Sequence, residues 1–236
     1  MLKRLLFTAV IIFSFFTVSA QLNINLIGQL EFPGHGDVSD IWGHVDGSGN
    51  EYALVGLQDG TSIVDISDPA NPVEVFFSAG ANTIWRDLKV WDNHVYITNE
   101  GSGGTKIIDM SNLPGAITSA HVYQHTGTTY PYTKAHDLYI DENGFAYIMG
   151  AVEVGRYNEY YIHDGMVRGD TLWAGCVDDG FLAVIDVTTK SNPITMATHH
   201  TPSNFTHNIW PTDDGQTVFT TDEKSNAFIA SYDVSN

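Results

Sequence analysis

The stretch "AHDLYIDENGFAYIMG" (135–150) sets a His-Asp pair ahead of a short apolar run, turns on "DENG" and resumes as a second extended run. Polar turn residues between two β-rich runs mark a hairpin. Three other stretches keep the same order: "VSDIWGHVDGSGNEYALVG" from Val38, "WRDLKVWDNHVYITNE" from Trp85 and "THNIWPTDDGQTVFTTD" from Thr206. A third run follows each: "GTSIVDIS" (60–67), "GTKIIDMS" (104–111), "FLAVIDVT" (181–188) and "FIASYDVS" (228–235). Asp65, Asp109, Asp186 and Asp233 share one register there and suit the turns that follow. Proline-containing turns and a fourth run, as in "PVEVFFS" (72–78) and "PITMATH" (193–199), lead into the next copy.

The copies are keyed by Asp40, Asp87, Asp137 and Asn208, the first three 47 and 50 residues apart. Four short strands per unit at that period, with little helical periodicity, predict an all-β fold, a β-propeller of four-stranded antiparallel blades. The step from Asp137 to Asn208 is 71 residues. The excess assigns 151–180, "AVEVGRYNEYYIHDGMVRGDTLWAGCVDDG", to an insertion between the second and third strands of the third copy. "INLIGQLEF" (24–32) reads as an outermost strand, able to complete the last blade if the ring closes at four.

The first twenty residues stand apart. Lys3 and Arg4, the apolar run Leu5–Phe16 and the small residues before Gln21 have the order of a secretory signal peptide, which places the mature chain outside the cytoplasm, secreted, periplasmic or on the cell surface. No other apolar run is long enough to span a bilayer. A formal net charge of −18 repels nucleic acid and anionic membranes and favours cations or cationic partners. One cysteine, Cys176, leaves no internal disulfide, so stability must come from the apolar core.

The repeats also resemble a known family. "GTSIVDISDPANP" looks like the LVIVD repeat, and "WRDLKV", "HDGMVRGDTLWAGC" and "FTHNIWPTDDGQTVFTTDE" together are similar to the choice-of-anchor B family of exported bacterial propellers. The resemblance implies a surface or secreted protein and more blades than four, so the four copies are read as part of a longer ring.

In a propeller the first strand of each blade lies nearest the axis, so the residues at its entry converge. Those residues are Ser39 and Asp40, Arg86 and Asp87, His136 and Asp137, His207 and Asn208. The acids ending the second strands, Asp59, Glu100, Glu153, Asp222 and Glu223, and the insertion's His163, Asp164 and Arg168 are expected on the same face. An Asp or Asn present in every copy suits blade-to-blade hydrogen bonding better than ligand contact. The position before it varies (Ser39, Arg86, His136, His207), as a specific site requires. The candidate ligand-binding set is therefore Asp40, Arg86, Asp87, His136, Asp137, His163, Arg168, His207 and Asn208.

His136 and His207 are also the candidate ligands for a divalent metal, although neither HExxH nor CxxC spacing is present. Trp42, Trp85 and Trp210 are assigned to packing between blades. No nucleophile elbow or phosphate-binding glycine loop appears, and no catalytic residue is assigned. Three functions remain open: a module binding a small molecule, glycan or protein; a metal-dependent hydrolase or lactonase; and a structural cell-surface protein.

Overall fold

The structure, a computed structural model, describes residues 25–128, 131–150, 157 and 159–235. The leader-like residues 1–20 and Glu153 lie outside these. The described chain is all-β, with a single 3₁₀ turn at Ser119–His121 and no α-helix. The expected propeller of antiparallel blades is what it forms.

The first blade runs β1 (Val38–Val45), β2 (Glu51–Leu57), β3 (Gly60–Asp65) and β4 (Val73–Ala79), paired in chain order. The second is β5 (Arg86–Trp91), β6 (His94–Asn99), β7 (Thr105–Asp109) and β8 (Val122–His125). A two-stranded hairpin of β9 (Asp137–Ile140) and β10 (Ala146–Met149) comes next. Then follow the four strands β11 (Asp164–Arg168), β12 (Thr171–Cys176), β13 (Phe181–Asp186) and β14 (Ile194–His200). The last blade has three strands among the described residues, β15 (Thr206–Pro211), β16 (Thr217–Asp222) and β17 (Ile229–Asp233). The innermost strands β1, β5, β9, β11 and β15 are neighbours in that order around the axis.

The turns explain the local structure. Asp46 accepts backbone N–H bonds from Ser48 and Asn50, and the Tyr52 hydroxyl donates to its other oxygen at 3.2 Å. Asp141 repeats the device with Asn143, Phe145 and Tyr147, again at 3.2 Å. "DENG" is thus a hairpin turn whose carboxylate is consumed by its own backbone. The third-strand aspartates behave alike: Asp65, Asp109, Asp186 and Asp233 each accept the N–H two residues on.

Residues 164–176 correct the sequence reading. They are not an inserted loop: Met166 pairs with Trp173, and Trp173 with Val184, so β11 and β12 are the first two strands of the blade that β13 and β14 complete. Gly169, at φ +57°, supplies the turn between "DGMVR" and "TLWAGC". Both strands are almost wholly buried, so their apolar residues do not alternate with polar ones and the hairpin pattern is hidden. The segment 25–32 also departs from expectation. It forms no strand, and Leu30 and Phe32 pack on Val55, Leu57 and Val64 of the first blade.

The core lies in the joints between blades. Tyr52, Leu54 and Ile63 of the first blade enclose Leu88, Val95, Ile97 and Ile108 of the second. A second cluster joins Val167, Leu172, Ala174, Cys176, Ala183 and Ile185. A smaller one joins Trp173 and Leu182 to Ile209 and Val218 of the last blade.

Candidate functional site at the axis

At every joint one carboxyl group reaches the next inner strand. Asp40 Oδ2 accepts the Leu88 N–H at 2.9 Å, Asp87 Oδ2 the Leu138 N–H at 2.9 Å, and Asp137 Oδ2 the Gly165 N–H at 3.4 Å. Asp164 Oδ2 instead accepts from the side-chain Nδ2 of Asn208 at 2.6 Å. The recurrent acid is blade-joining, as its presence in every copy suggested. Asp164, placed in the insertion by the sequence reading, is a member of the series. The signal was present: His163-Asp164 repeats His136-Asp137, but a glycine stands where the other copies have Leu or Ile.

Irregular backbone lies beside two of these side chains, Asp40 and Asn208. The β1–β2 register shifts between Val38 and Ile41, and β15–β16 shifts between Thr206 and Asn208, so a bulge lies at each strand entry. A Cβ on Gly56 would stand 2.6 Å from Ser39 Oγ and 3.1 Å from Leu88 Cδ1, and one on Gly175 would stand 3.0 Å from the His207 carbonyl oxygen. Any larger residue would push the inner strands apart there.

The inner strands enclose an axial cavity of about 800 Å³. Its entry layer carries Asp37, Ile84, Trp85, His136, His163 and His207; its middle layer the joining acids; its far layer Trp42, Lys89, Tyr139 and Trp210. The three imidazoles stand side by side, ring centroids 4.1 Å apart for His136–His163 and 4.3 Å for His163–His207. The outer two are anchored by acids ending second strands: His136 Nδ1 is 2.6 Å from Glu100 Oε1, and His207 Nε2 is 3.4 Å from Glu223 Oε2. His163 Nδ1 is buried with no hydrogen-bond partner. Burial, and then its two imidazole neighbours, hold His163 below the ordinary histidine range.

The middle layer shares charge unevenly. Burial, helped by Asp87 alongside, pushes Asp40 up to about 6, and raises Asp137 well above the carboxylate range. Burial also raises Asp87, but hydrogen bonds from Asp137 and Asp40 and the Lys89 ammonium outweigh it and leave Asp87 low. Asp87 is the member of the three that is lowered, and Lys89 Nζ binds its Oδ1 at 2.8 Å and lies 4.7 Å from the Trp42 ring centroid.

Two expected site residues do not present their charge as expected, Arg86 within the cavity lining and Arg168 outside it. The Arg86 guanidinium is buried against backbone, donating through Nε to Leu57 O at 3.0 Å and through Nη2 to Ala81 O at 2.7 Å. It braces the first joint instead of offering charge to a ligand. Arg168 is not in the cavity lining: it ends β11, donates to Thr212 O and pairs with Asp213 at 3.1 Å. Four residues along an extended strand carry it roughly 13 Å from Asp164, at the opposite end of the blade.

Sequence reasoning missed the aromatic lining. Trp42, Trp85 and Trp210 are 37, 50 and 53% exposed and face the cavity, whereas packing between blades would have buried them. Lys89, a cation inside a first strand, was the other overlooked signal. Among the described residues no group of three or more His, Cys, Asp or Glu side chains is disposed to hold a metal ion, so the His136 and His207 pairing gains no support as a metal centre. Cys176 is buried and burial pushes its thiol up to about 12, which disqualifies it as a nucleophile. No helix among the described residues is long and apolar enough to cross a membrane.

A ring of antiparallel blades whose inner strands open onto an axial cavity defines a β-propeller, and solved structures agree. A functionally unknown protein from Desulfotomaculum acetoxidans superposes with a TM-score of 0.55 at 12% identity, covering 89% of this chain and 70% of that one. A putative 6-phosphogluconolactonase from Bacteroides uniformis gives 0.56 at 14%, covering 80% and 66%. The β-propeller domain of Myceliophteria thermophila Cps50 (Swd1) gives 0.51 at 12%, covering 80% and 63%. At these identities the likeness is one of fold alone. Within the propeller, residues 35–78, the first blade except its last residue, match the LVIVD repeat. No curated protein sequence matches the chain.

Proposed function

We propose that this chain is an exported binding module whose ligand, a small organic molecule, sits in the axial cavity. The observation that carries the reading is the lining: three partly exposed indoles beside an imidazole row and hydrogen-bonding carboxyl groups, within a cavity of ligand size. Indoles supply contact area, and the acids and imidazoles fix orientation. The blades fold through their joints, so exposed tryptophans inside the ring need a reason beyond stability. Export rests on residues 1–20.

The test is a thermal-shift screen of residues 21–236 against neutral monosaccharides, amino acids, dicarboxylates and organic ammonium ions. The expected result is a saturable rise in Tm with at least one class, lost in Trp85→Ala. If every compound that raises Tm does so equally in Trp85→Ala and Trp210→Ala, the axial cavity is not the binding site.

A further inference from the structure

Resting on that reading, we infer that the axial ligand is an organic cation, an ammonium group seated on a tryptophan face beside a carboxylate. The cavity already holds one such arrangement made from its own side chains. The Lys89 ammonium lies 4.7 Å from the Trp42 ring centroid and 2.8 Å from Asp87 Oδ1, the pairing of π face and carboxylate that recognises alkylammonium ions. Lys89 stands two residues after Asp87 as Trp42 stands two after Asp40, and Trp210 occupies the same place after Asn208. Trp210 is more exposed than Trp42 and lines the same cavity, and no lysine or arginine lies over its ring among the described residues.

The charge around it selects the sign of the ligand. Of the cavity's two cationic side chains, Lys89 is tied to Asp87, and Arg86 is spent on the Leu57 and Ala81 carbonyls. Asp164, whose Oδ2 takes one bond from Asn208, and Asp37, exposed at the mouth, face no cationic partner among the described residues. Glu100 and Glu223 stand behind the outer imidazoles. An anionic ligand would enter against all of these, whereas a cation is drawn in by them and by the chain's −18 charge.

Isothermal titration of residues 21–236 with choline, and with 3,3-dimethyl-1-butanol as its uncharged isostere, separates charge from shape. The expected result is saturable choline binding at least tenfold tighter than the isostere. Trp210→Ala should weaken choline about tenfold, and Trp91→Ala, an exposed tryptophan outside the cavity, should leave it unchanged. Equal binding of both compounds, sensitive to Trp210→Ala, would overturn the cationic assignment and keep the cavity as the site. Choline binding that survives Trp210→Ala would overturn the seat. No choline binding, with a neutral sugar or dicarboxylate still raising Tm through Trp85, would overturn the cation alone; no binding by any class would end both readings.

Discussion

The joint between the first and second blades and the joint between the β11–β14 blade and the last use the same device to different depths. At the first, Asp40 bonds a backbone N–H of β5, Arg86 braces Leu57 and Ala81, and Leu88 is fully buried in a cluster that runs from Tyr52 to Ile117. At the second, Asp164 meets an exposed side-chain amide, and four buried residues close the contact. The repeated acid marks where blades meet; the extent of the apolar cluster around it differs, nine buried residues at the first joint against four at the last. The entry layer differs in the same way: Ser39 donates to the Arg86 carbonyl oxygen and the Arg86 guanidinium to the Leu57 and Ala81 carbonyls, whereas His136, His163 and His207 form a row of imidazoles.

The largest effect should come from Asp87→Ala. Asp87 and Lys89 are each 16% exposed, and the substitution removes the ammonium's carboxylate partner and one of the two acceptors of the Leu138 N–H, leaving Asp137 Oδ1 as the other. Breaking a buried pair of this kind costs about 3–5 kcal/mol. Urea unfolding would register it as a lower midpoint at unchanged slope, and a loss below about 1 kcal/mol would mean that the axial carboxyls are better hydrated than their burial indicates. Leu88→Ala should follow at about 2–4 kcal/mol by the cavity it leaves in the first joint.

These two residues show what was legible. The Asp register and the strands around it stood out because each copy repeats a turn and a period, and backbone geometry forces such repetition. The β11–β12 hairpin did not, because burial on both faces removes the alternation that announces a strand. At the site, the histidines were visible as departures from the repeat. Trp42, Lys89 and Trp210 were not, since a side chain two residues into a strand reads as packing until the ring places it on the axis. Arg86 lines the cavity with its guanidinium on backbone carbonyls and Arg168 lies outside the lining, for the complementary reason: sequence gives the strand but not which backbone carbonyl a long side chain will reach.

Asp164→Ala probes the weaker joint. It removes one hydrogen bond to an exposed Asn208, a loss of about 1 kcal/mol. If it instead matched Asp87→Ala, the distinction between the two joints would collapse.

A pH series sharpens the comparison, because the two halves of the ring respond with opposite sign. His163 lies below its ordinary 6.5 when folded, so just under pH 6.5 the unfolded chain binds more protons and stability falls as pH drops. Asp40, at about 6 when folded against 3.8, makes the folded chain bind more protons between those values, so its contribution is lost as pH rises from 3.8 through 6. Unfolding midpoints at pH 7.5 and 5.5 should therefore drop less on acidification in His163→Gln than in the parent. In Asp40→Asn they should drop more.

The smallest effect belongs to Ile41, which follows Asp40 as Leu88 follows Asp87, Leu138 follows Asp137 and Ile209 follows Asn208. Leu88, Leu138 and Ile209 are buried, whereas Ile41 is 63% exposed. The same register is thus filled on one side of the molecule and open on the other. An apolar side chain in water gains nothing from its methyl groups, so Ile41→Ala should change stability by no more than about 0.5 kcal/mol, several-fold less than Leu88→Ala. Parallel urea titrations of the two variants give the ratio directly. A cost for Ile41→Ala approaching that for Leu88→Ala would show that the outer face of β1 is covered in solution. The Ile41 position would then be a joint like the others.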